Sequence, residues 1–137
     1  MNPGNTSKSI VTSEKAPAAI GPYSIAVKAN GLVFVSGQLG IDPTTGNLVE
    51  GDVQAQAWQA LTNLKTVLEA AGTSLENVVK TTVFLSDIHD FALVNKMYAG
   101  FFTAEFPARS AVQVAALPKG GLVEVEAIAV IPGQPLT

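Results

Sequence analysis

The chain has 137 residues, 47% of them hydrophobic and 14% charged, with a formal net charge of -3 and no cysteine. That length suits one domain with a proper core, and the composition gives no sign of a second. Eight scattered basic residues leave no footprint for nucleic acid, which requires clustered Lys and Arg. The missing thiols exclude disulfides, a thiolate nucleophile and a cysteine-ligated metal, and no apolar run reaches membrane-spanning length.

In chain order, residues 1–8 are polar and rich in Pro, Gly and Asn. They predict a disordered tail ahead of a single domain over 9–137. Such a tail also suits the stub left by removal of an organelle transit peptide, so cytoplasm, plastid and mitochondrion all fit the chain. Residues 9–12 form a short β-like run, and 17–22 a proline-punctuated loop that leads directly into Tyr23. Residues 24–29 and 32–37 read as strands joined by Asn30-Gly31, a type I′ hairpin signal. Leu32-Val33-Phe34-Val35 is apolar at consecutive positions, which predicts burial of both strand faces. Ser36-Gly37-Gln38 then brings polar groups and a small residue to the strand end.

A helix is predicted over 52–71, with Val53, Ala57, Leu61, Leu64, Leu68 and Ala71 on its apolar stripe and Asn63 off it. Asp52 is the expected N-cap, Gly72 the expected C′ residue, and Trp58 the expected packer at the flank. The β-branched run 78–85 predicts a strand, and a second helix begins near Asp87 with Phe91, Val94, Tyr98, Phe101 and Phe102 as its core face. Asn95 sits at the edge of that face. The single histidine, His89, reads as a surface or capping residue, which argues against a histidine metal cluster or a Ser-His pair.

The resulting order, β-β-β-α-β-α-β-β, suggests an α+β fold with both helices on one face of a mixed sheet. In the last strand Glu124, Glu126, Ile128 and Val130 share one side. An uncovered sheet face with apolar residues marks an association surface, so a homo-oligomer is expected. Arg109 stands at a helix-to-strand junction among apolar residues, where its donor fork suits an anion. Glu124 and Glu126 are either a solvated face, with Lys80 as a partner, or carboxylates whose pKa rises at a buried rim and which can then handle protons.

The segment Pro107-Ala108-Arg109-Ser110-Ala111-Val112-Gln113-Val114, continuing through Leu117-Pro118 to Val123-Glu124-Val125, resembles the signature of the reactive-intermediate deaminase family (RidA, also called YjgF). Ile20-Gly21-Pro22-Tyr23, Val35-Ser36-Gly37-Gln38 and Asp90-Phe91-Ala92-Leu93-Val94-Asn95 resemble its other recurrent segments, in the same order. The resemblance implies a chorismate-mutase-like fold with a six-stranded sheet, assembled as a homotrimer with sites between subunits. It implies hydrolysis of 2-imino acids released by PLP-dependent dehydratases, giving 2-keto acids and ammonia, without a metal or organic cofactor. It assigns the substrate carboxylate to Arg109 and water activation or orientation to Glu124. Tyr23, Ser36, Gly37 and Asn95 line the pocket, and because imine hydrolysis also needs a proton donor for the nitrogen, Tyr23 is the candidate for that part. Ala111 is expected among the substrate-binding positions; many relatives carry cysteine there, so any role of that thiol is dispensable or absent here. Two other readings compete: a non-catalytic module that binds small carboxylates through the same Arg109 cleft, and a ribonuclease or translation inhibitor, an activity attributed to some family members, which the low basic charge disfavours.

A tight hairpin at Pro118-Lys119-Gly120-Gly121 would set Ala115 opposite Glu124 and leave Arg109 six residues further along. At about 3.4 Å per residue the two would be roughly 20 Å apart. Arg109 and Glu124 of one site are therefore expected from different chains.

Overall fold

Strand alternation decides which residues meet the helices. The computed structural model describes residues 7–133 and arranges them as β1 (Ser9–Val11), β2 (Ala26–Ala29), β3 (Leu32–Leu39), α1 (Val53–Ala70), β4 (Val78–Leu85), α2 (Phe91–Tyr98), β5 (Ala108–Gln113) and β6 (Val123–Val130). Most of the tail expected over 1–8, namely 1–6, lies outside the described residues. The strands form one six-stranded mixed sheet in the order β1-β2-β3-β6-β4-β5, in which only the β4–β5 pair is parallel. In β6, Val123, Val125, Ala127 and Ala129 are buried under the helices together with Val33, Val35 and Val83. Glu124, Glu126, Ile128 and Val130 fall on the other, uncovered side. Among the described residues no helix is long and apolar enough to cross a membrane.

Local chemistry explains the element boundaries. The β2–β3 hairpin turns at Asn30 (φ 51°) and Gly31 (φ 78°), the pair of positive angles that a type I′ turn requires. The Asp52 side chain accepts from the backbone N–H groups of Gln54 and Ala55 and starts α1; Gly72 follows the last turn. Leu61, Leu64 and Leu68 are fully buried on the α1 stripe, each contributing about 1.5–3 kcal/mol of transfer free energy. Trp58 packs at the flank, edge-on to Phe101 at 4.6 Å between ring centroids.

Three expectations are corrected. Asn63 is not off the buried surface: it is fully enclosed, and its amide donates to the carbonyls of Leu39 (3.0 Å) and Ile41 (2.8 Å). It clamps the end of β3 where that strand leaves the sheet. Phe34 is not buried on both sides of β3; it lies 42% exposed on the uncovered face. The segment Pro118–Gly120 is a 3-10 turn rather than the centre of a hairpin, because β5 pairs with β4 and not with β6.

Replacing Asn63 by Leu keeps the volume but strands two buried carbonyls, each of which costs about 1–3 kcal/mol. Urea unfolding at matched protein concentration should therefore show a loss of about 2–4 kcal/mol, and an unchanged midpoint would mean that water reaches these carbonyls.

Candidate active site

The residues singled out from the sequence fall into two groups on opposite faces of the sheet. The first surrounds Glu124. Its side chain projects from β6 into a cleft of about 390 Å³ that is also lined by Tyr23, Ser36, Gly37, Pro118 and Glu126. A β-bulge builds this cleft. Between the Val35–Ala127 and Gln38–Val125 pairs, Ser36 and Gly37 of β3 oppose the single residue Glu126 of β6. The extra residue returns Gln38 to the helix side, where it is buried, and leaves Gly37 against the Glu124 carboxylate. A Cβ on Gly37 would lie 2.6 Å from Glu124 Cδ, so only glycine admits the carboxylate at this depth.

Ser36 and Tyr23 orient the wall of the cleft. Ser36 Oγ donates to the Ser24 carbonyl at 2.6 Å, and the Ser36 N–H donates to the Ile25 carbonyl at 2.9 Å, tying the loop that carries Tyr23 to the bulge. The Tyr23 hydroxyl accepts from the Ile20 N–H at 3.2 Å, so its own proton is left for another acceptor. Burial pushes the Glu124 carboxyl above its ordinary pKa, and the neighbouring Glu126 charge adds to the effect. With the folded-state pKa raised, the protonated form favours the fold at acid pH, and that contribution is lost as pH rises through the raised value. The alternative partner for these carboxylates is not taken up: Lys80 is in register with Ile128, and its Nζ lies 3.5 Å from Ser110 Oγ.

The second group surrounds Arg109 on β5, an edge strand of the sheet. Arg109 is in register with Thr81, whose side chain is buried under the helices, so the guanidinium projects to the helix side. It borders a cleft of about 410 Å³ with Asn95, Tyr98, Phe106 and Pro107. Its Nη1 donates to Asn95 Oδ1 at 2.8 Å, and its Cζ sits 4.7 Å from the Tyr98 ring centroid and 5.4 Å from that of Phe91. Ala111, two residues on, faces the same layer and packs against the core. His89 lies at neither group; it is 90% exposed and bonded to Asp87, whose carboxyl it holds below its ordinary pKa.

The path from Arg109 to Glu124 therefore differs from the hairpin expectation. Arg109 aligns with Thr81 of β4, and Thr81 with Ala127 of β6, three residues from Glu124. Two strand spacings of about 4.8 Å and three residues of about 3.3 Å put the Cα atoms roughly 14 Å apart, with side chains on opposite faces. Neither cleft contains both side chains. Phe91, expected in the core, is 38% exposed and faces Arg109; Tyr98 is in the core as expected, and its ring also faces Arg109. Their spacing with Asn95, at i, i+4 and i+7 of one helix, was the available signal.

Residues 13–131 match the family model described as Endoribonuclease L-PSP. The chain is 58% identical over 123 residues to the 2-iminobutanoate/2-iminopropanoate deaminase of Bos taurus, covering 90% of each chain. It belongs to the reactive-intermediate deaminase (RidA, YjgF) family. The chloroplastic Reactive Intermediate Deaminase A of Arabidopsis thaliana is 49% identical over 131 residues, 96% of this chain and 70% of that one. The crystal structure of RidA from the Antarctic bacterium Psychrobacter sp. PAMC 21119 superposes with a TM-score of 0.87 at 52% identity, covering 90% of this chain and 99% of that one. The mixed sheet with two helices is thus the RidA-family architecture.

Removing the like charge beside Glu124 should lower its pKa. In Glu126→Gln, the Glu124 carboxyl followed by carbon-13 NMR should titrate at lower pH than in the unmodified protein; an unmoved midpoint would leave burial as the only cause.

Proposed function

We propose that this chain is a 2-iminobutanoate/2-iminopropanoate deaminase, hydrolysing the reactive enamines and imines released by PLP-dependent dehydratases to 2-keto acids and ammonia. The kinship with the bovine deaminase over nine-tenths of both chains carries this assignment, and the setting of Glu124 supplies a chemical route. An imine protonated on nitrogen is already electrophilic, so water adds to its carbon without a covalent protein intermediate. Arg109 binds the substrate carboxylate through its fork. Glu124, half-buried with a raised pKa, orients the water and accepts its proton as the C–O bond forms. The Tyr23 hydroxyl, its lone pair engaged by Ile20, protonates the nitrogen of the resulting carbinolamine; as the C–N bond breaks and ammonia leaves, the added oxygen closes the carbonyl and its proton returns to the Tyr23 oxygen. The Ser36 hydroxyl already donates to Ser24, which leaves it as an acceptor toward the imine N–H. Ala111 has no nucleophilic group, in keeping with direct attack by water.

The same reading joins the two clefts. The chain forms a chorismate-mutase-like homotrimer in which Arg109 with Asn95 comes from one subunit and Glu124 with Tyr23, Ser36 and Gly37 from its neighbour. The uncovered sheet face, with Phe34 exposed and Ile128 and Val130 beside it, is the surface to be buried. One domain over 9–137 supplies both halves. Two carboxylates at the Glu124 cleft repel a phosphodiester backbone, which favours the small-molecule reading over ribonuclease action. We place the protein in the cytoplasm or the interior of a plastid or mitochondrion, which suits a chain without cysteine.

Added to a threonine or serine dehydratase reaction with semicarbazide competing for the imine, the protein should accelerate keto-acid formation. Arg109→Ala should lose at least about a hundredfold in kcat/KM and Glu124→Ala about tenfold to a hundredfold. No acceleration by the unmodified protein, or equal acceleration by Arg109→Ala, rejects the deaminase and leaves the binding module. Shared sites have their own test. Arg109→Ala and Glu124→Ala chains, unfolded together and refolded at equal amounts, should recover about one quarter of the activity, because random trimers pair the two intact halves at that frequency. Recovery no greater than the sum of the separate variants would place both residues of a site in one subunit.

A further inference from the structure

Phe91, Asn95 and Tyr98 form one stripe along α2, and all three meet the Arg109 side chain. Only one of the two rings has a clear packing reason to be there. Tyr98 is buried, stacked on Phe102 at 4.5 Å between centroids, and its hydroxyl shares a 2.8 Å hydrogen bond with the buried Thr81 hydroxyl. Phe91 is 38% exposed at the first position of the helix, and its ring faces the guanidinium. We propose that Phe91 and Tyr98 are positioning residues for Arg109, stacking on its guanidinium so that, with Asn95 holding Nη1, the Nε–Nη2 edge is presented ready-formed to the substrate carboxylate.

The inference rests on the reading of Arg109 as the carboxylate clamp. An arginine on an edge strand has several rotatable bonds, and a clamp that must first be ordered binds less tightly than one already in place. Ring faces attract a guanidinium and fix its plane. Thr81 ties this arrangement to the sheet. It is the β4 residue in register with Arg109, and its hydroxyl locks the Tyr98 ring, so a single cross-strand pair sets both the arginine and one of the rings it lies on. Asn95 then acts on substrate through Arg109 rather than by touching it.

The test combines kinetics in the dehydratase-coupled assay, affinity for 2-oxobutanoate by titration calorimetry, and NMR of the Arg109 side chain in the free protein. In the unmodified protein the Arg109 Hδ protons should be shifted upfield by ring currents. Phe91→Leu, at a partly exposed position that should not disturb folding, should lose part of that shift. It should also raise KM and the 2-oxobutanoate Kd roughly two- to fivefold, with the change falling on KM rather than kcat. Phe91→Tyr should restore both, and Tyr98→Phe should keep most of the shift because the ring remains. Loss of the ring-current shift in Phe91→Leu with KM and Kd unchanged overturns the positioning role, as does the absence of any such shift in the unmodified protein. Unchanged 2-oxobutanoate affinity in Arg109→Ala rejects the clamp itself, and the positioning role with it. Loss of affinity in Arg109→Ala beside an unaffected Phe91→Leu rejects the positioning role alone.

Discussion

A strand sends alternate side chains to opposite faces, and in this sheet only one face is covered by helices. Arg109 and Glu124 therefore cannot be neighbours within the chain, whatever the loops between them do. Thr81 ties Arg109 to the helix side by register, while buried Val123 and Val125 force Glu124 between them to the open side. Moving Glu124 to the other face would need a slip of β6 by one position, which would bury its charged side chain and expose the valines that anchor the core. The separation of the two groups is thus fixed by the same burial that stabilises the fold.

The two groups are built by different means. Around Glu124 the device is a β-bulge, with Gly37 making room for the carboxylate and Ser36 using its hydroxyl to fasten the Tyr23 loop. Asn63 supports this end of β3 from the helix layer through the Leu39 and Ile41 carbonyls, and Gln56 accepts from the Leu122 N–H just ahead of β6. Around Arg109 the device is a helix stripe packed against an edge strand. The first leaves an acid partly deprived of water and pressed by a like charge; the second leaves a cation on polarizable ring faces with one polar partner. Each half is electrostatically suited to one end of a small zwitterion-like substrate, the first to nitrogen and water, the second to the carboxylate.

Most of this was legible where local chemistry dominates. The Asn30-Gly31 turn, the Asp52 cap, the α1 stripe and the alternation of β6 follow from residue type and spacing, and the structure has them where expected. Asn63 was misplaced because helical periodicity scores an amide as polar without seeing that two carbonyls at a strand end require donors. The partner of β5 was misjudged because the Pro118-Lys119-Gly120-Gly121 segment has hairpin composition, whereas pairing is decided by which strand has an open edge. β6 is already flanked by β3 and β4, so β5 takes the free edge of β4 and runs parallel to it. Phe91 differs from its core expectation, and buried Tyr98 has a second neighbour in Arg109, because aromatic spacing alone does not distinguish a ring facing leucine from one facing arginine.

The chemistry that these halves support is limited by what they lack. The one histidine is held in a solvent-exposed cap with Asp87, far in purpose from either cleft, and the position after Ser110 carries only a methyl group. Neither cleft therefore offers a strong nucleophile. An amide or an ester demands stronger activation of the attacking group and a stabilised oxyanion. A protonated imine needs neither, because its carbon is electron-poor before the enzyme acts. A raised-pKa carboxylate to place water and a tyrosine proton directed at nitrogen suffice, provided that the substrate carboxylate is held still. On the proposed mechanism the burden of rate enhancement shifts from bond-making groups to geometry, so the ordering proposed for the arginine at the edge of the sheet would matter as much as the acid in the bulge.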